Sequence, residues 1–246
     1  MKILLTNDDG IASPGLIALE KRLSQKHEVW IVAPEHERSG TSHSITLREP
    51  IKITQIAEKR FTCGGTPADC VLYPLLGALP VKPDIVLSGI NLGPNLGTDI
   101  IYSGTAAAAR QAALMEIPGC ALSLAAYTAP YHFTQALNFV DNNLEIIQSH
   151  WTDDHFLNIN FPNTTSNSAS AVLTHLSRRI YQDKLAHFKG PGKDFYYFLQ
   201  GELPEAHHEN GSDWNAVTEG KISICPVYLH PVHHTCEDNY RKTFLE

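Results

Sequence analysis

The chain opens MKILLTNDDG, residues 1–10, and the fold follows from how this stretch is read. Ile3, Leu4 and Leu5 form an unbroken apolar run, as expected of a strand buried on both faces of a parallel sheet. Asn7, Asp8 and Asp9 follow at once, and Gly10 ends the run. Two adjacent carboxylates at the end of a buried strand repel one another, and burial penalises both charges. A solvated turn would carry such a pair without consequence. At the carboxyl end of a parallel strand, where open α/β sheets bind ligands, the pair reads instead as a holder of something positive.

Working outward, Ser13-Pro14 supplies an N-cap and a first helical residue. Leu16, Leu19 and Leu23 then mark one helical face. Val29–Val32 is a second apolar strand. Ile51, Ile53, Ile56 and Phe61 suggest an antiparallel excursion, and Thr66-Pro67-Ala68-Asp69 opens a further helix. "PDIVLSGIN" reads as a buried strand ending at Ser88-Gly89. Ser103 or Thr105 caps an alanine-rich helix running to about Glu116. "GCALSLA" and "FLNINFP" are strands on either side of the helical stripe Phe133, Leu137, Val140, Leu144 and Ile147. Strands alternating with helices of this length predict a mostly parallel sheet with helices on both faces. Residues 1–246 are expected to form one domain, with the core in about 1–165. Residues 170–204, polar and aromatic around Gly190-Pro191-Gly192, read as a β-hairpin arm. Residues 205–246 then return through a short capped helix at Ser212–Glu219 and a strand in "KISICPV".

Composition narrows the function. The formal net charge is −7 and no Lys/Arg run occurs, which argues against a nucleic-acid polymer as partner. The five cysteines are an odd number and contain no CxxC, as expected of reduced thiols in the cytoplasm. No stretch has the length of a signal peptide's apolar region or of a membrane span, so no membrane partner is expected. Gly89, Gly93 and Gly97 are spaced by four, which is neither GxGxxG nor a P-loop. The tract with His230, His233, His234 and Cys236 lacks a second cluster and reads as a solvated tail, not a zinc site. His43, inside a polar loop, is a candidate general acid, though a surface histidine is the commoner outcome.

Four polar stretches fall at strand ends: Asn7-Asp8-Asp9, Arg38-Ser39-Gly40-Thr41, Ser88-Gly89-Ile90-Asn91 and Ser103-Gly104-Thr105. Carboxylate, hydroxyl and amide oxygens together suit a hard divalent cation, which would relieve the Asp8–Asp9 repulsion. A phosphate brought to that cation needs donors, and the candidates are Asn7, the backbone at Gly40 and Thr41, Asn95 and the helix start at Ser103, Gly104 and Thr105. On this reading Thr105 faces phosphate, so its loss should leave cation affinity almost unchanged. Asp8 and Asp9 are the catalytic candidates, either of them orienting the attacking water.

The stretches "ILLTNDDGI", "VAPEHERSGTSHSIT", "CGGTPADCV", "PDIVLSGINLGPNLGTDIIYSGTAAAA", "NINFP", "RRIYQDK", "DFYYFLQG" and "SDWNAVTEGKISICPV" span nearly the whole chain. Together they resemble the stationary-phase survival protein SurE family of metal-dependent phosphatases acting on nucleoside monophosphates. The resemblance implies one divalent ion per subunit, Mg²⁺ or Mn²⁺, on Asp8, Asp9, Ser39 and Asn91. It also implies a Rossmann-like core, hydrolysis of 5′- or 3′-nucleotides, extending to polyphosphate, and a homodimer or homotetramer built through the arm. Arg110-Gln111 stands where the family has Glu-Gly, "KGPGKD" replaces the usual arm turn, and Phe198 replaces a tryptophan. A receiver domain also places an acidic pair after its first strand, but "PDIVL" would then be followed by Asp, where Ser88-Gly89 stands. A phosphatase forming an aspartyl-phosphate commonly shows Asp-x-Asp, which adjacent Asp8-Asp9 does not match.

Overall fold

The computed structural model describes residues 1–166, 168–201 and 204–230. The elements, in chain order, are β1 (Lys2–Thr6), α1 (Pro14–Leu23), β2 (Glu28–Pro34), β3 (Ile53–Ala57), β4 (Arg60–Cys63), α2 (Asp69–Tyr73), β5 (Ile85–Leu92), α3 (Gly104–Leu114), β6 (Gly119–Ala125), α4 (Thr134–His150) and β7 (His155–Pro162). There follow β8 (Ala171–Leu173), β9 (Arg179–Ile180), β10 (Lys184–Lys189), β11 (Phe195–Gln200), β12 (Glu205–Ala206), α5 (Asp213–Thr218) and β13 (Ile222–Tyr228).

The central sheet is nine-stranded in the order β3-β4-β2-β1-β5-β6-β7-β13-β8. From β4 to β7 every neighbouring pair is parallel. The antiparallel pairs lie further out, β3 on β4 and β13 on β7. Strand order reverses at β1, which has β2 on one side and β5 on the other. The crevice beyond β1 and β5 is therefore the topological switch point.

Two apolar layers sandwich the sheet. On one face Leu16, Leu19 and Leu23 of α1 and Val140 and Leu144 of α4 pack on Ile3, Leu5, Leu87 and Leu122. On the other, Cys70 and Val71 of α2 and Ala108 and Ala112 of α3 pack on Leu4, Val32 and Val86. The alanines let α3 lie almost on the sheet: a Cβ at Gly119 of β6 would come within 2.1 Å of the Ala109 carbonyl oxygen. Arg22 and Lys26 bind Asp141 of α4 at 3.2 and 2.9 Å, joining α1 to α4.

Local details refine the sequence expectations. Ser13 stands at the N-cap of α1 but makes no side-chain cap bond. The hydroxyls of Ser103 and Ser212 do cap, accepting from Ala106 N and Asn215 N. Thr66 and Asp69 form a reciprocal pair, Thr66 N donating to Asp69 Oδ2 at 2.9 Å and Asp69 N to Thr66 Oγ1 at 3.2 Å. Strand β5 does not stop at Ser88-Gly89; it runs to Leu92 through a register shift between Ser88 and Asn91. Gly89 has φ of +138°, open only to glycine, and the irregularity re-aims the strand end.

The arm is a hairpin of β10 and β11, in register from Lys184↔Gln200 to Lys189↔Phe195. Phe188, Phe195, Tyr196, Tyr197 and Phe198 are all exposed on it. No helix among the described residues is long and apolar enough to cross a membrane. Of the histidine-rich tract, only His230 lies within the described residues.

Candidate functional site

At the switch point lies a cavity of about 200 Å³ lined by Asp8, Ser39, Gly40, Asn91, Leu92, Asn95, Asp99, Tyr102 and Ser103. Four segments meet there: the loop after β1, the loop after β2, the end of β5, and the connection from β5 to α3. A larger groove of about 740 Å³, near Arg110, His175 and Tyr228, has no carboxylate in its walls among the described residues. The acidic chemistry therefore belongs to the smaller cavity.

The loop after β1 is fixed by its own backbone. Asn7 Nδ2 donates to the Gly10 carbonyl at 2.9 Å, and Gly10 N donates to Asn7 Oδ1 at 3.2 Å. Arg38 N donates to the Asp8 carbonyl at 2.7 Å, joining this loop to the one after β2. Asp8 is nearly completely buried, and Thr105 Oγ1 donates to its Oδ1. Asp9 Oδ2 accepts from Leu92 N at 3.2 Å and, at 3.4 Å, from the Ser13 hydroxyl.

Burial raises the Asp8 carboxyl above its ordinary value, against the pull of the Thr105 hydroxyl. Burial, then the neighbouring Asp8 charge, pushes Asp9 up to about 6. Among the described residues, neither Asp8 nor Asp9 forms an ion pair. Two carboxyls are thus held in partly dry surroundings with no cationic side chain to balance them.

The donor set suits a hard cation. Asp9 Oδ1 is left free by the bonds above, while the backbone N–H groups of Asp8 and Thr105 also bear on the Asp8 carboxylate. Ser39 Oγ donates to Glu37 Oε1 at 3.0 Å and so keeps its lone pairs. Asn91 Nδ2 donates to the Gly93 carbonyl at 2.8 Å, which leaves its amide oxygen as an acceptor. No group of three or more His, Cys, Asp or Glu that could hold a metal occurs among the described residues. A cation here would therefore depend on neutral oxygens from Ser39 and Asn91 beside the acidic pair. Asp9 itself does not line the cavity but adjoins it at Leu92.

Several residues expected to face phosphate have other partners. Asn7 is fully buried with both ends of its amide bound to Gly10, so it shapes the loop. Thr105 is fully buried on Asp8 and supports a carboxylate. Asn95 lines the cavity; its N–H and one Nδ2 hydrogen donate to Asn160 Oδ1 and Ser123 Oγ at 2.9 and 2.8 Å, which leaves the second Nδ2 hydrogen as its one remaining donor. Thr41 is outside the cavity wall, and the bond it makes to the Arg38 carbonyl uses its hydroxyl, not the backbone N–H expected to face phosphate. Gly104 serves close approach: a Cβ there would stand 2.9 Å from Asp8 Cβ and from Pro67 Cγ. Ser103 and Gly40 do line the cavity. Ser103 Oγ accepts from Ala106 N at 3.0 Å and keeps its proton free to donate. His43 is partly buried, its Nε2 paired with Gln111 Oε1 at 3.0 Å, away from the acidic pair.

Sequence reasoning missed the far wall. Asp99 lines the cavity, its Oδ2 held by Arg179 Nε at 3.0 Å and its Oδ1 by the Tyr181 hydroxyl at 2.7 Å. Arg179 in turn lies over the Trp214 ring at 4.4 Å. Fully buried Asp213 accepts from Gly97 N at 2.7 Å and Ser177 N at 2.9 Å, pinning the loop before α3 to the start of the arm. The only sequence signal for this wall was the acidic residue in "GTDIIY".

Fold and cavity together define a doubly wound α/β protein with an acidic, oxygen-lined site at its switch point. Comparison with known proteins narrows this class. The sequence model of the family described as Survival protein SurE matches residues 3–183, and the chain belongs to the SurE family. It is 42% identical over 232 residues to the 5′-nucleotidase SurE of Geotalea uraniireducens, covering 93% of each chain. It is 39% identical over 253 residues to the 5′-nucleotidase SurE of Petrotoga mobilis, covering 100% of each. The crystal structure of the SurE protein from Aquifex aeolicus superposes with a TM-score of 0.84 at 33% identity, over 99% of each chain.

Proposed function

We propose that the protein is a phosphoric monoester hydrolase that cleaves nucleoside 5′-monophosphates, and by extension 3′-monophosphates and polyphosphate. One Mg²⁺ or Mn²⁺ per subunit would be held by Asp8, Asp9, Ser39 and Asn91. The observation that carries this reading is buried Asp8 in the wall of an oxygen-lined cavity, with half-buried Asp9 adjoining it at Leu92 and no ion pair to either among the described residues. Membership of a family whose relatives are 5′-nucleotidases supports the substrate class.

Phosphate-monoester hydrolysis is among the slowest uncatalysed reactions, so on the order of 20 kcal/mol of barrier must be removed. Positioned acid–base groups supply about 10²–10⁴-fold. A bound divalent ion supplies charge stabilisation and a reactive water near neutral pH. The protein's own groups set the geometry. Thr105 and Leu92 N fix which oxygens of Asp8 and Asp9 face inward. Ser103 and the backbone at Gly40 offer donors to the phosphate oxygens. Asp8 or Asp9 orients the attacking water.

The nine-stranded sheet draws on strands from β1 to β13, which supports one domain over residues 1–246. The exposed aromatic hairpin supports a homodimer or homotetramer, because a two-stranded hairpin is marginal alone. Four buried free thiols are consistent with the cytoplasm.

The test is phosphate release from nucleotides and polyphosphate by protein stripped with chelator, then reloaded with magnesium, manganese or cobalt. Activity should vanish on stripping and return with a divalent ion. Full turnover by stripped protein in excess chelator would end the cation assignment. Failure to release phosphate from any nucleotide when loaded would end the substrate assignment.

A further inference from the structure

A second cavity, of about 410 Å³, is lined by Tyr102, Tyr181, Asp183 and Leu199. Tyr102 also lines the cavity at Asp8, so the two spaces share one aromatic wall. The Tyr181 hydroxyl reaches Asp99 on the far side of that wall. We propose that this second cavity receives the nucleobase of the substrate, with Tyr102 as the stacking face; the assignment rests on the nucleotidase reading above.

The geometry suits a flat heterocycle. Tyr102 is held at both backbone ends, its N–H donating to the Asp99 carbonyl and its carbonyl accepting from Ser42 N, each at 3.0 Å. The ring is nevertheless 58% exposed, although the buried helix start follows it at once at Ser103 and Gly104. Its one aromatic neighbour among the described residues is Tyr181, with centroids 6.5 Å apart and planes crossed at 87°. An edge-on pair of this kind makes a corner in which one ring face stays open to a third aromatic group. Leu199 adds an apolar side, and Asp183 an acceptor matched to the ring or exocyclic N–H groups of a base. The smaller cavity has about half the volume of this one, and Tyr102 lies on both, so a nucleoside that leaves the smaller space past Tyr102 enters this one. Every base has a π-face, so stacking here would favour nucleotides over base-free phosphate esters without choosing strongly among bases.

Tyr102→Leu and Tyr102→Phe, as metal-loaded full-length protein, test the assignment with adenosine 5′-monophosphate and ribose 5-phosphate. Base stacking lost on substitution corresponds to about a 5- to 150-fold effect. Tyr102→Leu should lower the ratio of kcat/KM for the nucleotide over that for the sugar phosphate by this factor, mainly through KM, and Tyr102→Phe should restore it. A purely structural tyrosine would reduce both substrates together, and an unchanged ratio in Tyr102→Leu overturns the proposal. If the wild type releases phosphate from neither compound, the hydrolase reading fails by itself. Calorimetric binding of the same two compounds then decides the subsite: tighter nucleotide binding lost in Tyr102→Leu sustains it, and equal binding of both by the wild type refutes it.

Discussion

Thr105→Val separates what the structure says of the cation site from what the sequence alone suggested. The substitution keeps the shape of a fully buried side chain and removes only the hydroxyl that donates to Asp8 Oδ1. Without a cation, burial disfavours the charged form of the Asp8 carboxyl, and a hydrogen bond to a neutral partner is worth about 0.5–1.5 kcal/mol. With a cation bound, Asp8 is ionised, and a hydrogen bond to a charged group is worth about 1.5–3 kcal/mol. Affinity reports the difference between the two states, about 1–1.5 kcal/mol, which is roughly a 5- to 12-fold loss. That lies at or just below the 10–100-fold typical of groups that hold a metal's ligands in place. Thermal unfolding of the metal-free protein should report a smaller cost, about 1 kcal/mol, because no volume is lost. Calorimetric titration of Mn²⁺ into wild type, Thr105→Val and Thr105→Ser supplies the numbers, and the serine variant should recover most of the affinity. If Thr105→Val bound Mn²⁺ within twofold of wild type while its KM for nucleotide rose, Thr105 would be a phosphate contact, and the support assigned to it would be wrong.

Other outcomes follow from the same geometry. With its carboxyl pushed up to about 6, Asp9 takes up a proton below that pH which a cation must displace, so Mn²⁺ affinity should fall as pH drops below about 6 and the fall should flatten in Asp9→Asn. A raised carboxyl stabilises the fold when protonated, so metal-free protein should lose that contribution as pH rises from 3.8 through about 6; saturating cation should remove the trend, as melting curves will show. Asp141 is held below the usual carboxylate range by Lys26 and Arg22, so Asp141→Asn should cost at most about 1 kcal/mol at pH 7. That cost should close as pH falls through the depressed value, read by denaturant titration at pH 7 and pH 3. Light scattering should find a dimer or larger at micromolar concentration, and Phe188→Lys with Phe198→Lys should shift it toward monomer; a wild-type monomer would refute the role given to the arm.

Local signals made most of the scaffold legible. Apolar runs marked β1, β5 and β6, the leucine spacing marked α1, and Gly190-Pro191-Gly192 marked the hairpin turn. The acidic pair was legible because its position after a buried strand is anomalous in the chain itself. What sequence could not give was the direction of single side chains in a helix's first turn. Ser103 and Thr105 are both good cap residues, yet a rotation of about 100° per residue sends one to the cavity and the other under Asp8. The far wall was hidden for another reason: Asp99 meets Arg179 and Tyr181 across about eighty positions, and nothing local announces such a pairing.

The Asp213 anchor has a consequence for timing. Every oxygen assigned to the cation lies at or before Asn91, while the loop that walls the cavity closes on a carboxylate 116 positions beyond Gly97. A nascent chain emerging from the ribosome thus carries its whole ligand set long before it has a finished chamber. Contacts of such range form late, because loop closure must come first. In a translation product cut short before Ser212, the Gly97 turn would lack the carboxylate that tethers it. Completing the chain is then the event that turns a collection of ligands into an enzyme.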